Sequence, residues 1–478
     1  MAQTGPIRKN EMTRKEFIKT GSAAATAAGF TGCLTASAGA DKLALLGGTP
    51  VIGKAEAAKR VGIFAWPIVN EAMLNASNDV LRKRKMSGTD ITKEFEAKFA
   101  AWNGTKYALA CLNGTTALNT AFYAIGLKPG DEIICPSITM WASCSGAVNI
   151  GATVVFCDVK PDDLTIDPAS FEAHITPRTK AVVVVHYMGA PCDMDPIMAI
   201  AKKHNLKVVE DVSHAQGGLY KGRKLGTIGD VGAMSLMSGK SFAIGEAGMI
   251  VTDSQEIYEK SIRWGMYIRI PATFGLAATK RTKDVPFGGI KNRLNQCTSA
   301  VGLEQLKKYD AERAEIEEAM LYYHKGIADI KGLKIIYPKW EKSNKAGWYS
   351  SRCLYDPAAF GGILNTVFSR ALNAETGGGF SAGCNFPLHW SSVYDDEDIF
   401  GDGKPPVRRG LPLGVTPKQL TGSLPVSDDI NNRVIGDPWF KHFDKPVIDR
   451  YVEAVHKVAA NASQLKGYKG EANFAYWR

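Results

Sequence analysis

Four short β-branched runs, DEIICP (131–136), ATVVFCDV (152–159), KAVVVVHYMG (180–189) and LKVVEDVSH (206–214), constrain this chain more than any other feature. Each is bounded by turn residues, and helical stretches such as ALNTAFYAIGL (117–127) and MDPIMAIAKKHN (194–205) lie between them. A strand that is apolar at nearly every position must be covered on both faces. Strands alternating with helices therefore predict a mostly parallel sheet between two helical layers, an α/β fold. VGAMSLMS (231–238) and AGMIVTD (247–253) read as two further strands.

From Asn295 a long amphipathic pattern begins, and SRCLYD (351–356), GILNTVFSRALNAET (362–376) and VIDRYVEAVHKVAANA (447–462) follow it. These predict a smaller C-terminal α+β domain joined to the first by a long helix, with a large domain over 41–310 and a small one over 311–478. GDGKPPVRRGLPLG (401–414) reads as an exposed loop. Residues 13–40, TRKEFIKTGSAAATAAGFTGCLTASAGA, combine a basic start, a weakly apolar stretch and small residues. The segment is too short and polar to span a bilayer, and it predicts an export leader over 1–40. Thr13, Arg14, Phe17, Ile18 and Lys19 resemble a twin-arginine signal, with Lys15 in place of the second arginine. FTGC before Cys33 resembles a lipoprotein cleavage box, so the predicted location is exported, with lipid anchoring at Cys33 as a variant and the cytoplasm if the leader is silent.

The formal charge of +10 is spread along the chain without a long basic run, which argues against a nucleic-acid partner. Nine cysteines occur without a CxxC pair or regular spacing, which argues against a metal or disulfide framework. Cys111, Cys135, Cys157 and Cys353 fall in apolar runs and read as small buried hydrophobes.

In open α/β sheets ligands gather at the carboxyl ends of the strands, and several unusual residues fall there. LNGTTALNTAF starts a helix at Gly114 and Thr115, either a simple N-cap or a phosphate cradle. VVEDVSHAQG ends a strand on Asp211, with His214 three residues on; a buried carboxylate needs a cation or an N–H, from a structural arginine or from a ligand. MSLMSGK adds Ser235 and Lys240, the latter a lone ammonium among small residues. Taken singly, Lys240 reads as a solvated loop residue. Taken together, the set describes a ligand with a phosphate, a ring nitrogen to be kept protonated and an aldehyde: pyridoxal 5′-phosphate. Lys240 would form the Schiff base and carry a proton between carbons, Asp211 would face the ring nitrogen, and Gly114, Thr115 and Ser235 would hold the phosphate.

These stretches, with FEAKFAAWNGTKYALACLNGTTAL, GLKPGDEIICPSITMWAS, ITPRTKAVVVVHYMGAPCDMDPI and SAVGLEQL in order, resemble the DegT/DnrJ/EryC1/StrS sugar aminotransferases, fold type I pyridoxal phosphate enzymes. The resemblance runs from LALLGGTP at 43 almost to the C-terminus. It implies that Lys240 is the cofactor lysine, Asp211 the pyridine partner, His214 a residue near the ring, and Ser235 a phosphate ligand. Three departures stand out. Met140 followed by Trp141 fills the slot where the family usually stacks an aromatic on the ring, and Ala247 replaces a frequent glycine. Lys291-Asn292-Arg293 lacks the aromatic of the segment that lends a phosphate contact to a neighbouring subunit. If Lys291 and Arg293 reach across, the unit is a homodimer with a shared site. The family transfers an amino group from glutamate or glutamine to a keto-sugar, and the LALLGGTP opening is similar to the branch acting on free keto-cyclitols. A dehydratase of the family would carry histidine at the lysine position, so Lys240 argues against that reaction. An exported, non-catalytic sugar-binding or sensory protein on the same fold is the remaining alternative.

Overall fold

A computed structural model describes residues 42–468 except 270–274, 277–285, 399–400, 402, 404, 409–410 and 413. The leader expected over 1–40 lies outside the described residues. Among the described residues thirteen strands occur, in the order β1 Tyr107–Cys111, β2 Glu132–Pro136, β3 Thr153–Cys157, β4 Thr179–Val185, β5 Lys207–Asp211, β6 Leu219–Tyr220, β7 Arg223–Lys224, β8 Val231–Ser235, β9 Gly248–Thr252, β10 Leu333–Ile335, β11 Arg352–Tyr355, β12 Ser381–Ala382 and β13 Val434–Gly436. Seven of them form one sheet in the order β1-β9-β8-β5-β4-β2-β3. The ladder is parallel from β3 through β2, β4 and β5 to β8, and β9 runs antiparallel to both β8 and β1.

Alternate residues explain why both faces are dry. Ile133, Cys135, Val154, Phe156, Val183 and Val209 enter one core, whereas Ile134, Val155, Cys157, Val182, Val184 and Val208 enter the other. Each of these valines, isoleucines and phenylalanines, fully buried, contributes about 1.5–3 kcal/mol. β-branched residues also suit the pleat, so propensity and burial agree. All six predicted strands are present, and the four cysteines named above are buried free thiols.

A four-stranded antiparallel sheet, β10-β11-β13-β12, is covered by the helices Asn365–Thr376 and Lys445–Ala460. The helix Gln296–Gly326, capped by Asn295 through Thr298 N–H at 2.9 Å, serves both cores. Its Tyr309 packs under the large sheet, while Ile316, Met320 and Tyr323 pack with Leu43, Val51, Ile52 and Ile63 around the small one. The expected boundary at 310 thus falls inside a helix, and the described N-terminal residues share the core of the C-terminal sheet. The loop expected over 401–414 is not wholly exposed. Val407 is buried, and its carbonyl accepts the Thr153 hydroxyl at 2.9 Å, because β3 ends the sheet and needs cover on that side. No helix among the described residues is long and apolar enough to cross a membrane.

Candidate active site

The site forms at the carboxyl ends of β5 and β8, where the chain leaves a buried sheet and its last side chains keep their polar ends together. Asn113 caps the helix Gly114–Ala124 through a capping box with Thr116, which points the first-turn N–H groups out of the helix end. Gly114 abuts Ser235 so closely that a Cβ at Gly114 would lie 2.6 Å from the Ser235 Cβ. Glycine at the helix start and serine at the end of β8 are therefore parts of one cradle, with Thr115 half-buried beside them. The helix N-terminus favours an anion there.

Asp211 ends β5 and is buried. Its Oδ2 accepts the Ser143 hydroxyl at 2.7 Å and its Oδ1 the Ser213 N–H at 3.0 Å. Because Ser143 has a single proton, already given to Asp211, the 2.8 Å contact between Thr139 and Ser143 hydroxyls has Thr139 as donor. Among the described residues no arginine pairs with Asp211; two neutral donors hold it. Lys240 is 5% exposed, and burial pushes its ammonium down to about 8 while the Asp211 carboxylate pulls the other way. Its Nζ lies 4.0 Å from the ring centre of Tyr349. The alternative of a solvated loop lysine is thereby excluded.

His214 packs tilted against the same ring, 4.6 Å between centroids, and its Nδ1 accepts the Met188 N–H at 3.2 Å. That bond places the ring proton on Nε2. Burial, then Lys240 and Arg352, hold His214 well below the ordinary histidine range, so it is a neutral donor at physiological pH.

Met140 is half-buried, and Trp141 is 48% exposed at the start of the helix Ala142–Ile150, its carbonyl accepting the Tyr394 hydroxyl at 3.2 Å. In the 291–293 segment the middle residue turns inward. Asn292 is buried, accepts the Leu112 N–H at 3.0 Å and donates to Thr120 at 3.0 Å, pinning the entry to the Gly114 helix. Lys291 is exposed, and Arg293 is half-buried with a buried Nη1 that has no hydrogen-bond partner. Of the arginines considered for a donor carboxylate, Arg352 is buried, with Nε and Nη1 on the carbonyls of Gly383, Ser350 and Ser351. Arg433 is exposed and paired with Asp429 at 3.2 Å.

Several contributors escaped sequence reasoning. Gln216 donates to the carbonyls of Ser213 and Ser235 and accepts from Ser241, tying both strand ends to the lysine loop. Trp66 Nε1 donates to the Lys240 carbonyl at 2.8 Å. Gln216 stands in the quoted VSHAQG motif and was a legible candidate, whereas Ser143, Trp66 and Tyr349 carry no local pattern that marks them.

A parallel sheet with this helix-start cradle and a buried lysine opposite a strand-end carboxylate defines the class, and similar solved folds are fold type I pyridoxal phosphate aminotransferases. The chain belongs to the DegT/DnrJ/EryC1/StrS aminotransferase family, whose model matches residues 67–407. It is 40% identical over 237 residues to GDP-perosamine synthase of Caulobacter vibrioides, a match spanning 50% of this chain and 62% of that enzyme. The spore coat polysaccharide biosynthesis protein SpsC of Bacillus subtilis is 36% identical over 295 residues, 60% of this chain and 74% of its own length. Among solved structures, an aminotransferase from Psychrobacter cryohalolentis superposes with a TM-score of 0.71 at 28% identity, covering 84% of this chain and 99% of that one.

Proposed function

We propose that this protein is a pyridoxal-phosphate-dependent aminotransferase that moves an amino group from glutamate or glutamine to a keto group on a sugar or cyclitol. One observation carries the reading. A buried ammonium, Lys240, sits within electrostatic reach of the buried carboxylate Asp211 and forms no ion pair with it. Burying a lysine without an ion pair is costly, and a cofactor aldehyde for its amine accounts for that cost.

The surrounding residues fit the group. The contact between Gly114 and Ser235 leaves backbone N–H groups and a hydroxyl for a phosphate, with Thr115 adjacent. The Asp211 carboxyl group, oriented by Ser143 and the Ser213 N–H, suits a protonated ring nitrogen. When bound, pyridoxal phosphate supplies an electron sink for the cleavage of a C–H bond. Lys240 Nζ takes and returns the proton at that carbon, and a lysine near 8 is poised for both duties at neutral pH. Neutral His214 keeps its Nε2 proton as a donor beside the ring, with Met140 and Trp141 on the stacking side. Arg352, buried and within electrostatic reach of His214, is the better placed of the two arginines for the donor carboxylate.

The relatives support a sugar acceptor, since one is named for perosamine synthesis and the other for spore coat polysaccharide. A homodimer in which Lys291 and Arg293 reach the partner's phosphate belongs to the same reading, as does export through the leader with Cys33 as a lipidation point. To test the reading, the purified full chain is incubated with pyridoxal phosphate and treated with borohydride. The expected result is a visible absorbance and a cofactor mass on the peptide holding Lys240, both lost in Lys240→Ala, with glutamine or glutamate bleaching the band. Capture of the cofactor with no response to any amino donor would favour the non-catalytic binding protein; no capture at all would refute the proposal.

A further inference from the structure

Against Trp348, next in sequence to Tyr349, a second group of reactive side chains is buried without a role in transamination. His324 comes from the Gln296–Gly326 helix, Cys353 from β11, and Asp437 from the residue after β13. Their nitrogen, sulfur and carboxylate ligand atoms all lie within 4.8 Å of one another. Cys353 Sγ and Ser351 Oγ donate to Asp437 Oδ2 at 3.4 and 3.3 Å. His324 is wholly buried, yet neither ring nitrogen makes a hydrogen bond; Nε2 lies 3.4 Å from Asp437 Oδ2 without hydrogen-bond alignment. Lys345 Nζ is likewise buried without a partner, over the Trp348 ring at 4.7 Å.

Buried polar nitrogens are normally satisfied, so an imidazole with two idle nitrogens facing a thiol and a carboxylate asks for an occupant. The donor set says which kind. Zinc takes one nitrogen at about 2.0–2.1 Å, one thiolate at about 2.3 Å and one carboxylate oxygen at about 2.0–2.2 Å, and such bonds around one ion leave the ligands a little over 3 Å apart. The two ligand separations that Asp437 makes match that spacing. Hard cations prefer all-oxygen shells, so calcium and magnesium are excluded.

We infer that His324, Cys353 and Asp437 form a buried site for a divalent transition ion of the zinc or cobalt type. Coordination replaces the proton on Cys353 with the metal, and the thiol proton leaves to solvent. The site would fasten a demanding piece of backbone. Ala346, Trp348 and Ser350 all have left-handed φ, at 54, 53 and 55°, and between the last two stands Tyr349, whose ring covers Lys240. An ion bridging the long helix, β11 and the end of β13 would hold that loop's base and so preserve the lysine's cover.

The test uses the untagged full chain, stripped with a chelator and titrated with Zn²⁺ or Co²⁺ alone. The expected outcome is one ion per chain, a thiolate-to-cobalt charge-transfer band, and X-ray absorption of the zinc form showing one sulfur among nitrogen and oxygen ligands. Cys353→Ser should abolish the band and Asp437→Asn should weaken zinc at least tenfold, whereas Cys297→Ser should change neither. No stoichiometric binding, or a bound ion without a sulfur ligand, overturns the proposal. The absorption measurement needs only the wild-type chain, so it decides the matter even if a variant fails to fold.

Discussion

Replacing Lys240 by methionine removes a charge from the interior while keeping a chain of similar length. The structure predicts that the cofactor-free protein becomes more stable at neutral pH. An ordinary lysine titrates near 10.5 and this one near 8, and at about 1.4 kcal/mol per pH unit the difference is about 3 kcal/mol. At pH 7 both folded and unfolded chains carry the proton, so the wild type bears the whole cost of burying it. Between about 8 and 10.5 the folded chain releases the proton and the unfolded chain keeps it; wild-type stability therefore rises with pH across that window. The advantage of Lys240→Met should thus be about 3 kcal/mol at pH 7 and shrink almost to nothing near pH 10.5. Lys345 and Lys441, also brought to about 8 by burial, titrate in both proteins and cancel in the difference. Urea unfolding of both apoproteins at a series of pH values measures the effect. A variant less stable than wild type at pH 7, or a difference that ignores pH, would refute the claim that this ammonium is buried at a cost.

Other consequences follow from the same geometry. Gly114→Ala drives a methyl to 2.6 Å from the Ser235 Cβ and 2.9 Å from its Cα. Overpacking of this kind costs about 1–3 kcal/mol, so pyridoxal phosphate affinity should fall by roughly 5- to 150-fold in a fluorescence titration, or the apoprotein melt lower. Ser143→Ala strips a hydroxyl from the buried Asp211 carboxylate, a loss of about 1.5–3 kcal/mol; the donor half-reaction, followed by stopped-flow absorbance, should slow at least tenfold while cofactor loading persists. Asn292→Ala leaves the Leu112 N–H without its partner and should cost about 1–2 kcal/mol of stability in denaturant melts. His214, held below its ordinary range by burial and two cations, should show no protonation step between about pH 6 and 8 when its ring is followed by NMR; a midpoint inside that window would contradict its placement.

How much could be read before any coordinates is clearest in particular residues. The valines of β4 and the runs beside it announced a sheet with two dry faces, because alternation and branching act over neighbours a few positions apart. Lys240 was conspicuous for a related reason: an ammonium among small residues violates the local pattern, and such violations cluster at working sites. Gly114, Asp211 and Ser235 could be named from their places at the ends of predicted elements. What holds them was not legible. Ser143 reaches Asp211 across 68 positions, Trp66 reaches the Lys240 carbonyl across 174, and Asn292 reaches Leu112 across 180. Nothing periodic links such pairs, and serine, tryptophan and asparagine at those places are equally at home on a surface. Val407, set in a Pro/Gly-rich stretch that looks solvated, is buried because a sheet edge elsewhere needed a lid. Composition and periodicity thus determined the layers of this protein and marked candidate side chains at the strand ends; the packing of distant segments alone decided which groups hold that lysine and carboxylate in place, since contact energy depends on proximity in space and the chain's local pattern encodes only proximity along itself.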